Sequence, residues 1–337
     1  MAAILPPWKA RWWIWGSTSD PLTAMEFAHT SVLAKETLEL YFTDPEGVYL
    51  DGTLGGGGHA EAVLEKLEGK GRLIGIDRDP EALQAAKARL SRFGERFTAI
   101  HGNFSDVKNL LGSLGIGKVT GILLDLGVSS HQFDDPSRGF SYQKDGLLDM
   151  RMDPEAPLSA ADIVNHWEKK ELVRILKDYG EERFASRIAE RIVREREKEE
   201  IKTTLALSEI VKNAYPAKFR AGGHPAKKSF QAIRIAVNGE LEALDQALEE
   251  GIGLLQDRGR MAVITFHSLE DRRVKEAFKQ AENPCVCPPG FPVCVCGKRS
   301  LGRAVTKKPV TASDEELTDN NRAHSAKLRV FERIAGE

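Results

Sequence analysis

The chain has 337 residues, with 48 Lys and Arg against 50 Asp and Glu, 41% hydrophobic residues and four Cys. That length predicts one large or two modest domains, and 29% charged residues at a net charge of −2 exclude collagen-like, disordered and disulfide-scaffold chains. Apolar runs such as Gly121–Leu124 and Met261–Phe266 fall far short of the ~18–20 residues of a bilayer span, so no membrane partner is expected.

The chain opens with Trp8, Trp12, Trp13 and Trp15, four of its five tryptophans. Residues 1–26 read as an atypical extension, either an upstream in-frame addition or a Trp-rich docking arm. The apolar run Trp12–Trp15 is shorter than the ~7–15 residues of a secretory core, so no signal peptide is expected. From Gly47 strands alternate with glycine loops and helices. Val48–Asp51 reads as a buried strand, Gly52–His59 as a loop, and Ala60, Val63, Leu64 and Leu67 as one face of a helix. Arg72–Asp77 reads as a second strand, followed by a helix that Asp79 caps and Pro80 opens. Phe97–His101 and Gly121–Asp125 supply two more strands. The alternation predicts an α/β fold with a parallel sheet covered on both faces.

Between about Ser141 and Ala226 the patterns are helical only, including Glu168–Tyr179 and the heavily charged Glu181–Lys198. One long helix is then expected, its stripe running through Phe230, Ile233, Val237, Leu241, Leu244, Leu248, Ile252 and Leu255. A turn at Asp257–Gly259 leads to a further strand, Arg260–Phe266. The helical block, residues 141–226, is therefore expected as an insertion in a discontinuous domain of residues 27–140 and 227–337.

Open parallel sheets bind ligands beyond the carboxyl ends of their strands. Four consecutive glycines, Gly55–Gly58, let a backbone approach a ligand closely, and the helix that follows presents its positive end. Asp77, twenty residues after Gly57, suits the hydroxyls of an adenosine ribose. The pair points to a nucleoside cofactor, NAD or S-adenosylmethionine. His101–Phe104 places a polar and an aromatic residue where an adenine would sit, and Asp125–Ser130 supplies a carboxylate and two hydroxyls. No residue set suggests a nicotinamide pocket. Methyl transfer from a sulfonium, by contrast, needs mainly alignment of the acceptor and a sink for its proton.

At these residues the sequence resembles a known family. His29–Leu33, Asp51–Thr53 through Gly58-His59, Gly75–Pro80, Asp125–Ser130, Arg138–Ser141 and Leu148–Asp153 are similar to motifs of the bacterial small-subunit ribosomal RNA cytosine-N4 methyltransferases. So are Tyr179–Ala185, Phe230–Arg234 with Val237-Asn238, and Phe266–Arg272. The resemblance covers about Phe27 to the C-terminus and favours Met25 as the equivalent start. It implies a Rossmann-like class I S-adenosylmethionine methyltransferase domain with an inserted all-helical domain. It also implies a cytoplasmic enzyme, monomer or homodimer, that modifies one decoding-site cytidine of 16S ribosomal RNA, free or in the small ribosomal subunit. By matched motif, Gly57, Gly58 and His59 contact S-adenosylmethionine, Asp77 its ribose and Phe104 the adenine region, while Asp125 and Gln132 complete the pocket.

Many amino-methyltransferases carry an Asp, Asn or Ser followed by two prolines and an aromatic after the fourth strand. Here the position reads Asp125-Leu126-Gly127-Val128. The expectation is that Asp125 or Ser129 orients the amine and Phe140 or Phe266 covers the base, with loop hydrogen bonding as the plain alternative for Ser129. Residues 183–234 hold thirteen Lys and Arg against six Glu and no Asp, and Lys298, Arg299, Arg303, Lys307 and Lys308 form a second basic cluster. Lys227, Lys228 and Arg234 are the preferred RNA contacts, because the charged helix before them reads equally well as a solvated face. Cys285, Cys287, Cys294 and Cys296 lie within twelve residues and suit either a structural zinc site or four free thiols. Two other functions stay open: methylation of a DNA amino group, and a non-catalytic cofactor-binding module in ribosome assembly.

Overall fold

The computed structural model describes residues 31–219, 224–288 and 295–335. The Trp-rich extension, Met25 and Cys294 lie outside the described residues. One seven-stranded sheet organises the chain, formed by β1 (Val48–Asp51), β2 (Arg72–Asp77), β3 (Phe97–His101), β4 (Val119–Asp125), β5 (Leu255–Thr265), β6 (Gly302–Ala304) and β7 (Lys327–Arg333). The order is β3-β2-β1-β4-β5-β7-β6, with the first five parallel and β7 antiparallel to both β5 and β6.

The helices are α1 (Ala34–Tyr41), α2 (Gly58–Leu64), α3 (Pro80–Leu90), α4 (Val107–Ser113), α5 (Ser130–Asp134), α6 (Ala160–His166) and α7 (Lys169–Asp178). They continue with α8 (Ala185–Arg196), α9 (Thr204–Ala214), α10 (Ala226–Asn238), α11 (Glu240–Leu254), α12 (Ser268–Glu282) and α13 (Asp314–Asp319). None of them is long and apolar enough to cross a membrane.

Alternation along the strands divides the sheet's two cores. Leu50, Ile74, Ile76, Ile122, Leu124, Met261 and Val263 face α4, α11 and α12. Tyr49, Leu73, Leu123, Ala262 and Ile264 face α1, α2 and α3. A strand buried on both faces needs apolar residues at nearly every position, and β4 reads Val-Thr-Gly-Ile-Leu-Leu-Asp. Each fully buried Leu or Ile contributes about 1.5–3 kcal/mol.

Helices α6 to α9 follow β4 and precede β5, and they build a third core from Ile163, Leu172, Ile175, Ile188, Ile192, Leu207 and Val211. This core extends past residue 226, the expected end of the insertion, because Phe230, Ile233 and Val237 of α10 pack into it. The expected single long helix is two. Gly239, at φ 59° and ψ 36°, ends α10 and starts α11, a left-handed conformation that costs a side-chain-bearing residue strain. The stripe divides there, with Leu244, Leu248 and Ile252 serving the sheet. The expected turn before the fifth strand is an irregularity inside it: β5 begins at Leu255, and its register against β4 shifts between Val119 and Gly121.

The helical block is tied to the sheet through Arg138. Its Nη1 donates to Asp79 Oδ2 at 2.9 Å, and its Nη2 donates to the carbonyls of Arg151 and Met152 at 3.1 and 3.0 Å. Both Arg138 and Asp79 are buried. Arg138→Ala strands a buried carboxylate and is expected to lower unfolding free energy by about 3 kcal/mol in urea denaturation. Arg138→Lys should restore little, because an ammonium cannot serve both the carboxylate and the two carbonyls. A loss below about 1 kcal/mol for Arg138→Ala would contradict this role.

Candidate functional site

Three of the parallel strands end in aspartate: β1 in Asp51, β2 in Asp77 and β4 in Asp125. Strand order reverses between β1 and β4, so these carboxylates stand at the crevice where open α/β sheets take their ligands. The glycine loop after β1 is drawn onto this edge by three hydrogen bonds. Gly52 N–H donates to the Leu123 carbonyl at 2.9 Å, Leu54 N–H to the Ile76 carbonyl at 2.9 Å, and Gly55 N–H to Asp77 Oδ2 at 2.7 Å. Gly57 caps α2 with φ 80°, a conformation that strains any residue with a side chain, and a Cβ on Gly58 would lie 2.1 Å from Ser31 Oγ and force that hydroxyl to turn away.

Asp77 accepts from Gly55 through one oxygen and from Asp79 N–H, at 2.9 Å, through the other. Burial pushes its carboxyl above the usual range, against those two hydrogen bonds. Asp51 is buried more deeply. Desolvation lifts it to about 7, although the neighbouring His59 and the Thr53 N–H pull the other way. His59, in the first turn of α2, brings Nε2 to 3.5 Å from Asp125 Oδ2, a charge contact longer than a good hydrogen bond. Burial opposes its charged form, yet the carboxylates of Asp125, Asp51 and Glu316 together raise it above 6.5. His59 Nε2 and Asp125 Oδ1 are buried without a hydrogen-bond partner. Asp125 is positioned through its backbone, whose N–H donates to Thr53 Oγ1 at 2.6 Å.

A cleft of about 790 Å³ opens over these groups. It gathers Gly58, His59, Asp77, Phe104, Asp125, Ser129, Gln132, Phe140, Phe266, Lys227 and Arg234 on one wall or another, but neither Gly57 nor Lys228. The cleft runs from the glycine loop to α10 and so lies between the sheet and the helical block. Phe104 carries the Arg78 guanidinium 5.8 Å from its ring centroid. Phe140 is buried, whereas Phe266 is only half-buried and follows the end of β5.

Several residues singled out from the sequence have their polar atoms engaged inside the protein. Gln132 Nε2 donates to Asp79 at 2.7 Å, and its Oε1 accepts from Ser129 N–H at 3.0 Å. Ser129 Oγ in turn accepts from Gln132 N–H at 3.2 Å, so the two residues form the capping box of α5. Arg234 makes a bidentate pair with Glu240, both contacts 2.8 Å. It is therefore bound to a carboxylate rather than open to a phosphate. Lys228 Nζ donates to the Glu181 carbonyl, and Lys227 stands exposed at the cleft rim. Far from the cleft in sequence, the Sγ atoms of Cys285, Cys287 and Cys296 lie within 4.8 Å of one another.

Sequence reasoning left Asp51 and the pair His267 and Glu270 unassigned. Glu270 Oε2 accepts from the N–H groups of Phe266 and His267, and its Oε1 lies 3.1 Å from His267 Nε2. Burial works against the Glu270 charge, but His267 and Arg234 hold its carboxyl below the usual range. A capping residue three positions before a Glu, at the start of a helix, is the signal that marks it.

A model of the MraW methylase family matches residues 26–334. The chain is 56% identical over 311 residues to the ribosomal RNA small subunit methyltransferase H 2 of Agathobacter rectalis, covering 92% of this chain and 99% of that protein. It is 53% identical over 311 residues to the ribosomal RNA small subunit methyltransferase H of Lachnospira eligens, with the same two coverages. Its identity to the protein of that name from Carboxydothermus hydrogenoformans is 51% over 311 residues, again covering 92% and 99%.

The buried Asp51 gives the fold a pH signature. Its carboxyl holds a proton up to about 7 when folded, and up to only about 4 when unfolded. Between those values the native chain binds the extra proton, so stability falls as pH rises and the loss is complete above pH 7. His59, also raised, adds a loss of the same sign. Relative to the parent, Asp51→Asn should gain about 1–3 kcal/mol between pH 4.5 and 7.5 in urea denaturation. A difference that stays constant with pH would contradict the buried acid.

Proposed function

The chain belongs to the MraW methylase family, and we propose that it is an S-adenosylmethionine-dependent methyltransferase of small-subunit ribosomal RNA, acting on N4 of one cytidine in the decoding region. The observation that carries the reading is the single cleft joining the aspartate-tipped strand ends to the helical block, large enough for a cofactor and an extruded base together. The relatives named as small-subunit ribosomal RNA methyltransferases supply the substrate class.

The residues present fit the cofactor. Each Asp77 oxygen uses one lone pair on a backbone N–H and keeps another for a ribose hydroxyl. Gly55, Gly56 and Gly58 line the same cleft and let the backbone approach the cofactor closely. Phe104 flanks the adenine region. When bound, S-adenosylmethionine supplies a methyl group already activated by its sulfonium charge.

The acceptor is the harder partner. The cytosine amine lone pair is conjugated with the ring, so a group that accepts the amine hydrogens must turn the nitrogen towards attack. Asp125, whose carboxylate lines the cleft, suits this, and His59 beside it shares the proton that the amine releases. Ser129, already the cap of α5, takes the lesser part. Phe266, half-exposed beside Gly127, covers the base more readily than the buried Phe140. Lys227 at the rim meets the RNA backbone, and the helical block, extended through α10, is the RNA-recognition domain.

The test uses methyl-labelled S-adenosylmethionine with small subunits, or naked ribosomal RNA, from cells lacking this gene. The expected product is label on N4 of a single cytidine, lost in Asp77→Ala with cofactor binding. Asp125→Asn should lower the transfer rate by about 100-fold or more while cofactor binding persists. Ser129→Ala should cost about 1 kcal/mol of stability and under tenfold in rate. No label on either substrate, despite cofactor binding, would overturn the reading in favour of a non-catalytic assembly role.

A further inference from the structure

Between the end of α12 at Glu282 and the start of β6 at Gly302, the described residues form neither helix nor strand. Apolar burial does not hold its described valines in place: Val286 is 62% exposed and Val295 is 73% exposed. These two valines are the middle residues of Cys285-x-Cys287 and Cys294-x-Cys296. The segment's ends are anchored, since Leu301 N–H donates to the Ala281 carbonyl at 2.8 Å and β6 pairs with β7. Its described residues bring three thiols together. Cys285 and Cys296 place their sulfurs 3.9 Å apart, and Cys287 Sγ lies within 4.8 Å of both.

That distance discriminates between two kinds of crosslink. A disulfide needs about 2.05 Å between sulfurs. Two thiolates on one tetrahedral zinc ion, each about 2.3 Å from the metal, lie about 3.8 Å apart. The sulfurs of Cys285 and Cys296 have the second spacing. We propose that Cys285, Cys287 and Cys296 hold a structural Zn²⁺ that fixes the loop between α12 and β6.

The metal replaces the apolar burial that the described residues of this loop lack, linking residues eleven positions apart in sequence. Lys298 and Arg299, one residue beyond Cys296, are exposed.

Metal analysis of the full chain, purified without chelator, is expected to find about one zinc per molecule, with sulfur neighbours at about 2.3 Å by X-ray absorption. Cys287→Ser and Cys296→Ser should each drop the zinc content at least tenfold. A strong chelator should remove the zinc and speed protease cleavage between residues 283 and 301 by about tenfold or more, while the helical circular dichroism persists. These readouts do not depend on methyl transfer, so the zinc site and the enzymatic reading fail separately. Zinc below about 0.2 per molecule, a shell of nitrogen and oxygen only, iron revealed by visible absorption, or cleavage unchanged by chelation would each overturn the proposal.

Discussion

The buried carboxylate of Asp79 is the point on which the site is assembled. It caps α3 through Glu81 N–H at 3.0 Å, receives Gln132 Nε2 at 2.7 Å and pairs with Arg138 at 2.9 Å. Its own N–H donates to Asp77. One side chain therefore fixes the helix after β2, the helix after β4 and, through Arg138, the segment that leads into the helical block. An anion so buried is tolerated only while these donors are in place, which makes the relative position of sheet and helical block a condition of folding. The cleft lies between the parts that Asp79 joins.

The charges around the cleft follow a consistent plan. Acids tip the strands, where a sulfonium cofactor would gain from them. The arginines of the wall are neutralised within the protein: Arg89 by Glu61, Arg234 by Glu240 and Arg322 by Asp134, while Arg78 is held by the Asn238 carbonyl. The interior is thus not a phosphate trap. On the proposed function, affinity for an RNA backbone would rest on exposed rim cations such as Lys227, where salt would screen it and counterion release would drive it.

Much of the fold was legible because the sheet writes a strong local pattern. Asp79-Pro80 reads as a helix start, Gly57 and Asp77 as a strand-end pair, and the first four strands as apolar runs closed by glycine or acid. What escaped notice depended on distant partners. The break at Gly239 was hidden because Val237 and Leu241 keep a helical spacing of four across it. Strand β7 carries Arg329 and Glu332 at buried positions, and these interrupt the apolar run that would mark it. The fold accepts them because Asp271 meets Arg329 at 2.6 Å and Arg260 meets Glu332 at 2.8 Å. In the site, Arg234 was expected to meet RNA and Gln132 the cofactor, but their engagement with Glu240 and Asp79 follows only from tertiary structure. The cysteine cluster was visible by its spacing, and the structure brings three of its sulfurs within 4.8 Å of one another.

The central claim is that the acid-tipped crevice is where S-adenosylmethionine sits, with the acceptor base between it and the helical block. A crystal structure with S-adenosylhomocysteine tests this most directly. The account predicts ribose hydroxyls within about 3.2 Å of the Asp77 carboxylate, the adenine against Phe104, and the sulfur facing the side of the cleft that holds Asp125 and Phe266. A ligand seated elsewhere, or one that leaves Asp77 bonded only to Gly55 and Asp79, would contradict it.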